Sequence, residues 1–267
     1  NPAKFRYSSS NYTIDKHTNS IYKGIASIKN ISYGLGEELY ALKDNKYNNF
    51  MELLYDIKDK TSCNSRELDI LIKLGFFEEF GKSQKLSVFV NYFDKLYKAK
   101  VVNKTKLDDY ANEIISKYSR QTEKQFRDLD NKKILLEIWD AIPNNELSIL
   151  KRVKAQQDYL GYIDYANPKL NKRYVLVMNL NTKYSPRFTA YCLNNGKTQE
   201  LKVYKQGRNK KITYFNEYPF KDGDLLYAKE FNSKPKSMKT EDGWKNIPNT
   251  KEWWLTSYSV VSYEEIQ

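Results

Sequence analysis

The sequence predicts an α+β protein, a helical N-terminal part followed by a small β-barrel. Three observations predict it. Apolar residues recur at helical spacing through residues 21–155, as in Phe50, Leu53, Leu54 and Ile57 at i, i+3, i+4 and i+7. From residue 158 the pattern changes to period two, as in Tyr174-Val175-Leu176-Val177-Met178. Turn signals such as Asn194-Asn195-Gly196-Lys197 then separate short strands. A chain of 267 residues has room for one large or two to three small domains.

Residues 1–20 are polar and extended, with Phe5, Tyr7 and Tyr12 as apolar anchors. Residues 21–81 read as two short helical hairpins, a helix-hairpin-helix module. It opens with Gly24-Ile25-Ala26-Ser27-Ile28-Lys29-Asn30-Ile31-Ser32. Leu35, Leu39 and Leu42 keep one face, and Lys43 to Asn48 breaks it. Phe50 to Ile57 carries the next stripe. Leu68, Leu71 and Ile72 continue it to Gly75 and Phe76-Phe77. Helices this short are unstable alone and must pack together. The polar turns at Asn30 to Ser32 and at Asn64 present backbone amides that can face an anion. Asn30 tolerates a left-handed backbone, and Ser32 can cap the helix that follows.

Residues 82–157 read as a charged helical connector. Its apolar sets are Val88, Val90, Phe93, Leu96 and Tyr97, then Tyr110, Ile114, Ile115 and Tyr118, then Ile134, Leu135, Ile138 and Trp139. Pro143 ends the third, and Glu146 to Tyr159 forms a further helix with Leu147, Leu150 and Val153 inward. Residues 158–267 hold strands at Tyr174 to Met178, Phe188 to Leu193, Glu200 to Tyr204, Leu225 to Ala228 and Trp253 to Val261, with one long loop. About five strands in this length suit an OB-like β-barrel. Trp253 and Trp254, being adjacent, point to opposite faces, so one belongs to the core.

The formal net charge is +12, which favours a polyanionic partner. Lysine, asparagine, isoleucine and tyrosine abound as well, so codon bias is a competing source of that charge. Where the charge falls therefore matters more than its sum. Lys202, Lys205, Arg208, Lys210 and Lys211 form the clearest basic run, with no acid among them and Tyr204 and Tyr214 at its flanks. On a small barrel such a run holds single strands by charge and stacking. Tyr184, Arg187 and Tyr191 are candidates for the same face.

Catalytic sets are missing from the sequence. Asp128-Leu129-Asp130 is spelled like a metal-binding pair, but on the helix expected from Phe126 to Lys133 the two carboxylates diverge. Asp108-Asp109 reads as a helix start. His17, the single histidine, sits in a polar loop, and Cys63 and Cys192 make no CxxC pair, so no zinc site is expected. No phosphate-binding glycine loop occurs. The mean hydropathy is −0.77 and no run of 18 apolar residues exists, which excludes a membrane-spanning helix. No signal peptide is evident, and a reducing cytoplasm is the simplest setting. The opening at Asn1 rather than Met reads as a cropped or processed piece.

The order of these pieces resembles a family, the alpha subunits of bacterial DNA polymerase III. Gly24-Ile25-Ala26-Ser27-Ile28-Lys29, then Tyr47-Asn48-Asn49-Phe50-Met51-Glu52-Leu53, then Asn64 to Phe77 are similar to consecutive motifs after that family's fingers, and Pro2 to Tyr7 to the last strand of the fingers. Leu160-Gly161-Tyr162 is a later point of likeness. The family's usual Gly-hydrophobic-Gly turn is Asn30-Ile31-Ser32 here. The resemblance implies that residues 1–20 are a tail of the fingers, 21–81 a helix-hairpin-helix module gripping duplex DNA, 82–157 a connector and 158–267 an OB domain. It implies duplex contacts from Lys29, Asn30, Ile31, Ser32, Arg66 and Lys73, and barrel contacts from Lys202, Tyr204, Lys205, Arg208, Lys210 and Lys211. Magnesium and catalysis would belong to the parent's palm, upstream of Asn1, so this portion needs no cofactor and should not polymerise alone. A sliding clamp or another replisome protein is an implied partner, with Gln84 to Phe89 a loose spelling of a clamp peptide. The rival expectation is a stand-alone protein-interaction module whose barrel has no nucleic-acid role.

Overall fold

The computed structural model describes residues 1–182, 186–203 and 220–266. They form two compact units, one of residues 1–147 and 155–161, the other of residues 148–154 and 162–266. Among the described residues there are seven α-helices, and none is long and apolar enough to cross a membrane.

The first unit begins with a hairpin of β1 (Thr13–Asp15) and β2 (Ser20–Tyr22). A 3-10 turn, Ile25–Ser27, and not a full helix forms the first arm of the first helical hairpin. Next come α1 (Tyr33–Ala41), α2 (Phe50–Lys60), α3 (Ser65–Lys73) and α4 (Ser83–Leu96). The expected stripes are the core. Leu35, Leu39, Phe50, Leu53, Leu54, Ile57, Leu68, Leu71 and Ile72 are all buried, in one cluster with Phe5, Phe76 and Phe77. The tail is tied in tightly. The Phe5 amide donates to the Phe76 carbonyl at 2.9 Å, and its ring meets those of Tyr47, Phe76, Phe77 and Phe80. Gly24 lies against the same tail, where an added Cβ would sit 2.2 Å from the Ser10 carbonyl oxygen.

Residues 101–127 differ from the all-helical expectation. β3 (Val101–Asn103), α5 (Asp109–Lys117), β4 (Arg120–Gln121) and β5 (Gln125–Arg127) put a three-stranded antiparallel sheet, ordered β3-β5-β4, beside a helix. Phe126 to Lys133 is therefore not one helix. Asp128 takes φ 54°, and Asp130 caps α6 (Asn131–Ala141) by accepting from the Lys133 amide. Short polar side chains that bond their own backbone favour caps and turns over helix interiors, and that outweighed the helical spelling. Asp108 caps α5, accepting from the Ala111 amide at 2.8 Å.

In the second unit α7 (Ile149–Leu160) contributes Ile149 and Val153 to a cluster with Leu176, Tyr191 and Leu193; Leu150, expected inward, is 37% exposed. The strands are β6 (Tyr174–Asn181), β7 (Arg187–Cys192), β8 (Thr198–Val203), β9 (Leu225–Lys234), β10 (Ser237–Thr240), β11 (Gly243–Asn246) and β12 (Glu252–Val261). Five of them close a barrel in the order β6-β7-β8-β12-β9, with β8 and β12 parallel and the remaining pairs antiparallel. This is a Greek-key closure consistent with an OB-like barrel. Val175, Val177, Phe188, Leu201, Leu226 and Leu255 fill it. The long loop before β12 contains a hairpin of its own, β10 with β11, which the sequence pattern does not show. Neither Trp253 nor Trp254 is buried; Leu255 takes the core position.

Two stability outcomes are expected. Gly24→Ala forces a Cβ into backbone and should cost about 1–3 kcal/mol, whereas Gly34→Ala on α1, where the position is open, should gain up to about 1 kcal/mol. Urea unfolding of the two variants checks this; equal effects would contradict the packing at Gly24. Asp108→Ala should cost about 1 kcal/mol at neutral pH. The Tyr92 hydroxyl and the Ala111 amide, donating to its carboxylate, hold Asp108 below the usual carboxylate range. A depressed folded pKa stabilises above the unfolded pKa and ceases to do so as pH falls through the folded value. The gap between parent and variant should therefore narrow below pH about 4.

Candidate nucleic-acid interface

The first candidate surface is built at the start of α1. Asn30 adopts φ 67°, the left-handed conformation its residue type tolerates. The turn is closed by the Ile31 amide, which donates to the Ile28 carbonyl at 3.2 Å, and Ile31 itself is buried. Lys29, Asn30, Ser32, Tyr33 and Gly34 are exposed around it. Ser32 occupies the N-cap position, but its side chain makes no capping hydrogen bond, and α1 has no acidic residue in its first turn. The amides of that turn lack intrahelical partners by construction, and the helix dipole adds partial positive charge.

The start of α3 is arranged differently. Asn64 accepts from the Arg66 and Glu67 amides at 3.0 Å each, and Glu67 reaches back to the Asn64 amide, completing a capping box. Glu67 is 7% exposed, and its other oxygen accepts from the Ser32 amide at 3.4 Å. This one carboxylate brings the N-terminal ends of α1 and α3 together, with Lys29 before one and Arg66 on the other. Lys73 lies at the opposite end of α3, paired with Asp69 at 2.6 Å. The sequence reading passed over Tyr33 and Gly34. The missing acid in the first turn of α1 was the signal for them.

A second candidate surface lies on the outer face of the barrel. Arg187 pairs with Lys202, Lys202 with Trp254, and Trp254 with Asn232, one row across four strands. The Lys202 and Lys234 ammonium groups lie 5.4 and 5.3 Å from the Trp254 ring centroid. Glu252 accepts from the indole Nε1–H of Trp254 at 2.9 Å and forms an ion pair with Lys202. An indole fixed at its N–H near two ammonium groups puts an aromatic ring and positive charge on one strip of the sheet. The sequence reading had Lys202 and Arg187 but not Lys234 or the role of Trp254, because the β8–β12 pairing joins segments about fifty residues apart. Tyr204, Lys205, Arg208, Lys210, Lys211, Tyr214 and Tyr184 lie outside the described residues. Tyr191 lies on the same outer face of β7 as Arg187 but is buried in the cluster with Ile149 and Val153, its hydroxyl donating to the Tyr165 carbonyl at 2.9 Å.

Other sequence candidates find structural roles. Gln84 to Phe89 lies on α4, where Leu86 and Phe89 are fully buried in the core of the first unit. The backbone of His17 closes the β1–β2 turn on Asp15. Cys63 is buried, which pushes its thiol pKa up to about 12. Among the described residues no group of three or more His, Cys, Asp or Glu could hold a metal ion.

Residues 2–86 match the family model of the helix-hairpin-helix motif. No curated protein matches the chain. The motif supports a DNA-binding role for this part of the molecule.

The turn can be tested directly. Asn30→Gly accepts positive φ freely and should keep or raise duplex affinity; Asn30→Val should lower it and cost roughly 1–2 kcal/mol of stability. Fluorescence anisotropy with duplex DNA, alongside circular dichroism, reads both. Parental duplex affinity in folded Asn30→Val would make the turn purely structural.

Proposed function

We propose that this chain is a non-catalytic, DNA-holding portion of a protein of the DNA polymerase III alpha type. One observation carries the reading. Within the segment that matches the helix-hairpin-helix motif, an uncapped helix start with no first-turn acid is exposed between Lys29 and Arg66. That surface suits a phosphate group, and phosphate contacts grip duplex without reading its sequence. The motif order supports the finer assignment. Gly24 to Lys29, Tyr47 to Leu53 and Asn64 to Phe77 stand in the order of the polymerase family, and a five-stranded barrel follows. In this reading Asn30, Ile31 and Ser32 shape the turn and Lys29 and Arg66 supply charge. Lys73, engaged with Asp69, contributes less.

The barrel would hold single-stranded template on the Arg187–Lys202–Trp254 row, with Lys205, Arg208, Lys210 and Lys211 adding charge from the run that begins at Lys202. Stacking on an aromatic ring tolerates any base, which suits a template of arbitrary sequence. A protein partner such as a sliding clamp fits the same reading. The stand-alone interaction module is the second reading, favoured by Trp244 and Met238, which are 72% and 53% exposed on the β10–β11 hairpin.

Duplex affinity should fall steeply between about 50 and 200 mM salt and depend little on sequence. A salt-independent signal, or none at low salt, would sink the DNA-holding reading. Trp254→Ala should weaken single-strand binding by about 1–3 kcal/mol and leave duplex affinity unchanged. Equal losses on both substrates would contradict two separate surfaces.

A further inference from the structure

The small sheet of β3, β5 and β4 has one face in the core and one in solvent. Val102 and Phe126 are buried on the inner face. The outer face carries a straight row, Val101 against Arg127 and Arg127 against Arg120. Two arginines thus stand directly opposite each other on neighbouring antiparallel strands. Like charges in that position repel, because their Cβ atoms are only about 4.5–5.5 Å apart. Nothing in the fold forces the arrangement, since both side chains point to water.

Each guanidinium is held by one edge only. Asn103 Oδ1 accepts from Gln125 Nε2 at 2.8 Å, and Gln125 Oε1 accepts from Arg127 Nη2 at 3.2 Å. Arg120 Nε lies 3.2 Å from Asp128 Oδ2. A guanidinium has five N–H donors, so most remain directed outward. The same strands and their connections also carry Lys100, Lys104, Lys106, Lys117 and Lys124, against Asp108, Asp109, Glu113, Glu123 and Asp128. Lys104 is engaged at the inner edge, with Gln121 and over the Phe126 ring.

We infer that this face is a phosphate-contact surface, on which Arg120 and Arg127 share a phosphate of a nucleic-acid backbone. An anion between them converts the repulsion into two charge-assisted, fork-shaped contacts. Arginine forks fit carboxylates as well. The nucleic-acid partner is chosen because the same compact unit carries the helix-hairpin-helix motif, so the inference rests on the DNA-holding reading above. It adds a second grip outside the matched segment.

The test compares the parent with Arg120→Gln/Arg127→Gln and Arg120→Lys/Arg127→Lys. The probe is a labelled duplex of about 20 base pairs, titrated across salt. The Gln pair should bind about tenfold more weakly at low salt. Its slope of log affinity against log salt should be shallower by about 0.9 for each phosphate that it no longer neutralises. The Lys pair should keep the slope and a larger share of the affinity. Without DNA, the Gln pair should melt at or above the parental temperature, because repulsion is relieved. If the parent binds duplex in a salt-dependent way and the Gln pair matches its affinity and slope, the inference is overturned while the DNA-holding reading stands. If the parent does not bind duplex, both fall. Loss of polyglutamate binding in the Gln pair with unchanged duplex binding would assign the face to an acidic protein and overturn the inference.

Discussion

The first unit turns on the Glu67 carboxylate. A buried carboxylate is costly unless its oxygens are used. Glu67 meets that demand by accepting from the Asn64 amide, the Asn64 side chain and the Ser32 amide. The first two bonds fix where α3 starts. The third ties that start to the turn before α1, thirty-five residues earlier. The Ser32 amide is thereby committed to Glu67, while Tyr33 and Gly34 after it are exposed beside Lys29. One side chain therefore sets both the packing of the hairpins and the direction in which the open helix end faces.

Much of this was legible because periodicity and burial are the same fact seen twice. The stripe Phe50, Leu53, Leu54 and Ile57 repeats at the helical period, and all four are fully buried. Val175 and Val177 alternate into the barrel while Leu176 faces α7. Asn30 was readable for another reason: few residues other than glycine accept positive φ, and the motif needs a sharp turn there. Of the barrel surface, Lys202 and Arg187 were visible as charges. Their alignment with Trp254 was not, because parallel pairing of β8 with β12 is a property of closure and leaves no local mark.

The misread elements share a cause. Val101 to Asn103, Arg120-Gln121 and Gln125 to Arg127 are two or three residues long, too short to display alternation. Their stability comes from tertiary pairing and from turn chemistry, such as the Thr122 hydroxyl accepting from the Gln125 amide. The β10–β11 hairpin has strands of only four residues, and both its faces are largely open to solvent, so no apolar period marks it. Signals drawn from hydrophobic period fail where strands bury little, and these strands bury little on at least one face.

The excess of basic residues now divides into two kinds. Lys4, Arg6, Lys58 and Lys73 are matched by Glu78, Glu79, Asp94 and Asp69 and serve the fold. Codon bias explains such a lysine adequately, because an exposed pair contributes little stability and demands no ligand. It does not explain two arginines opposed on one sheet face, nor a helix start with no acid in its own first turn beside a lysine and an arginine. In the proposed reading those arrangements disfavour the isolated protein slightly and are favoured when an anion binds. Charge placed against the interest of the free fold is stronger evidence for a polyanionic partner than the net charge of +12.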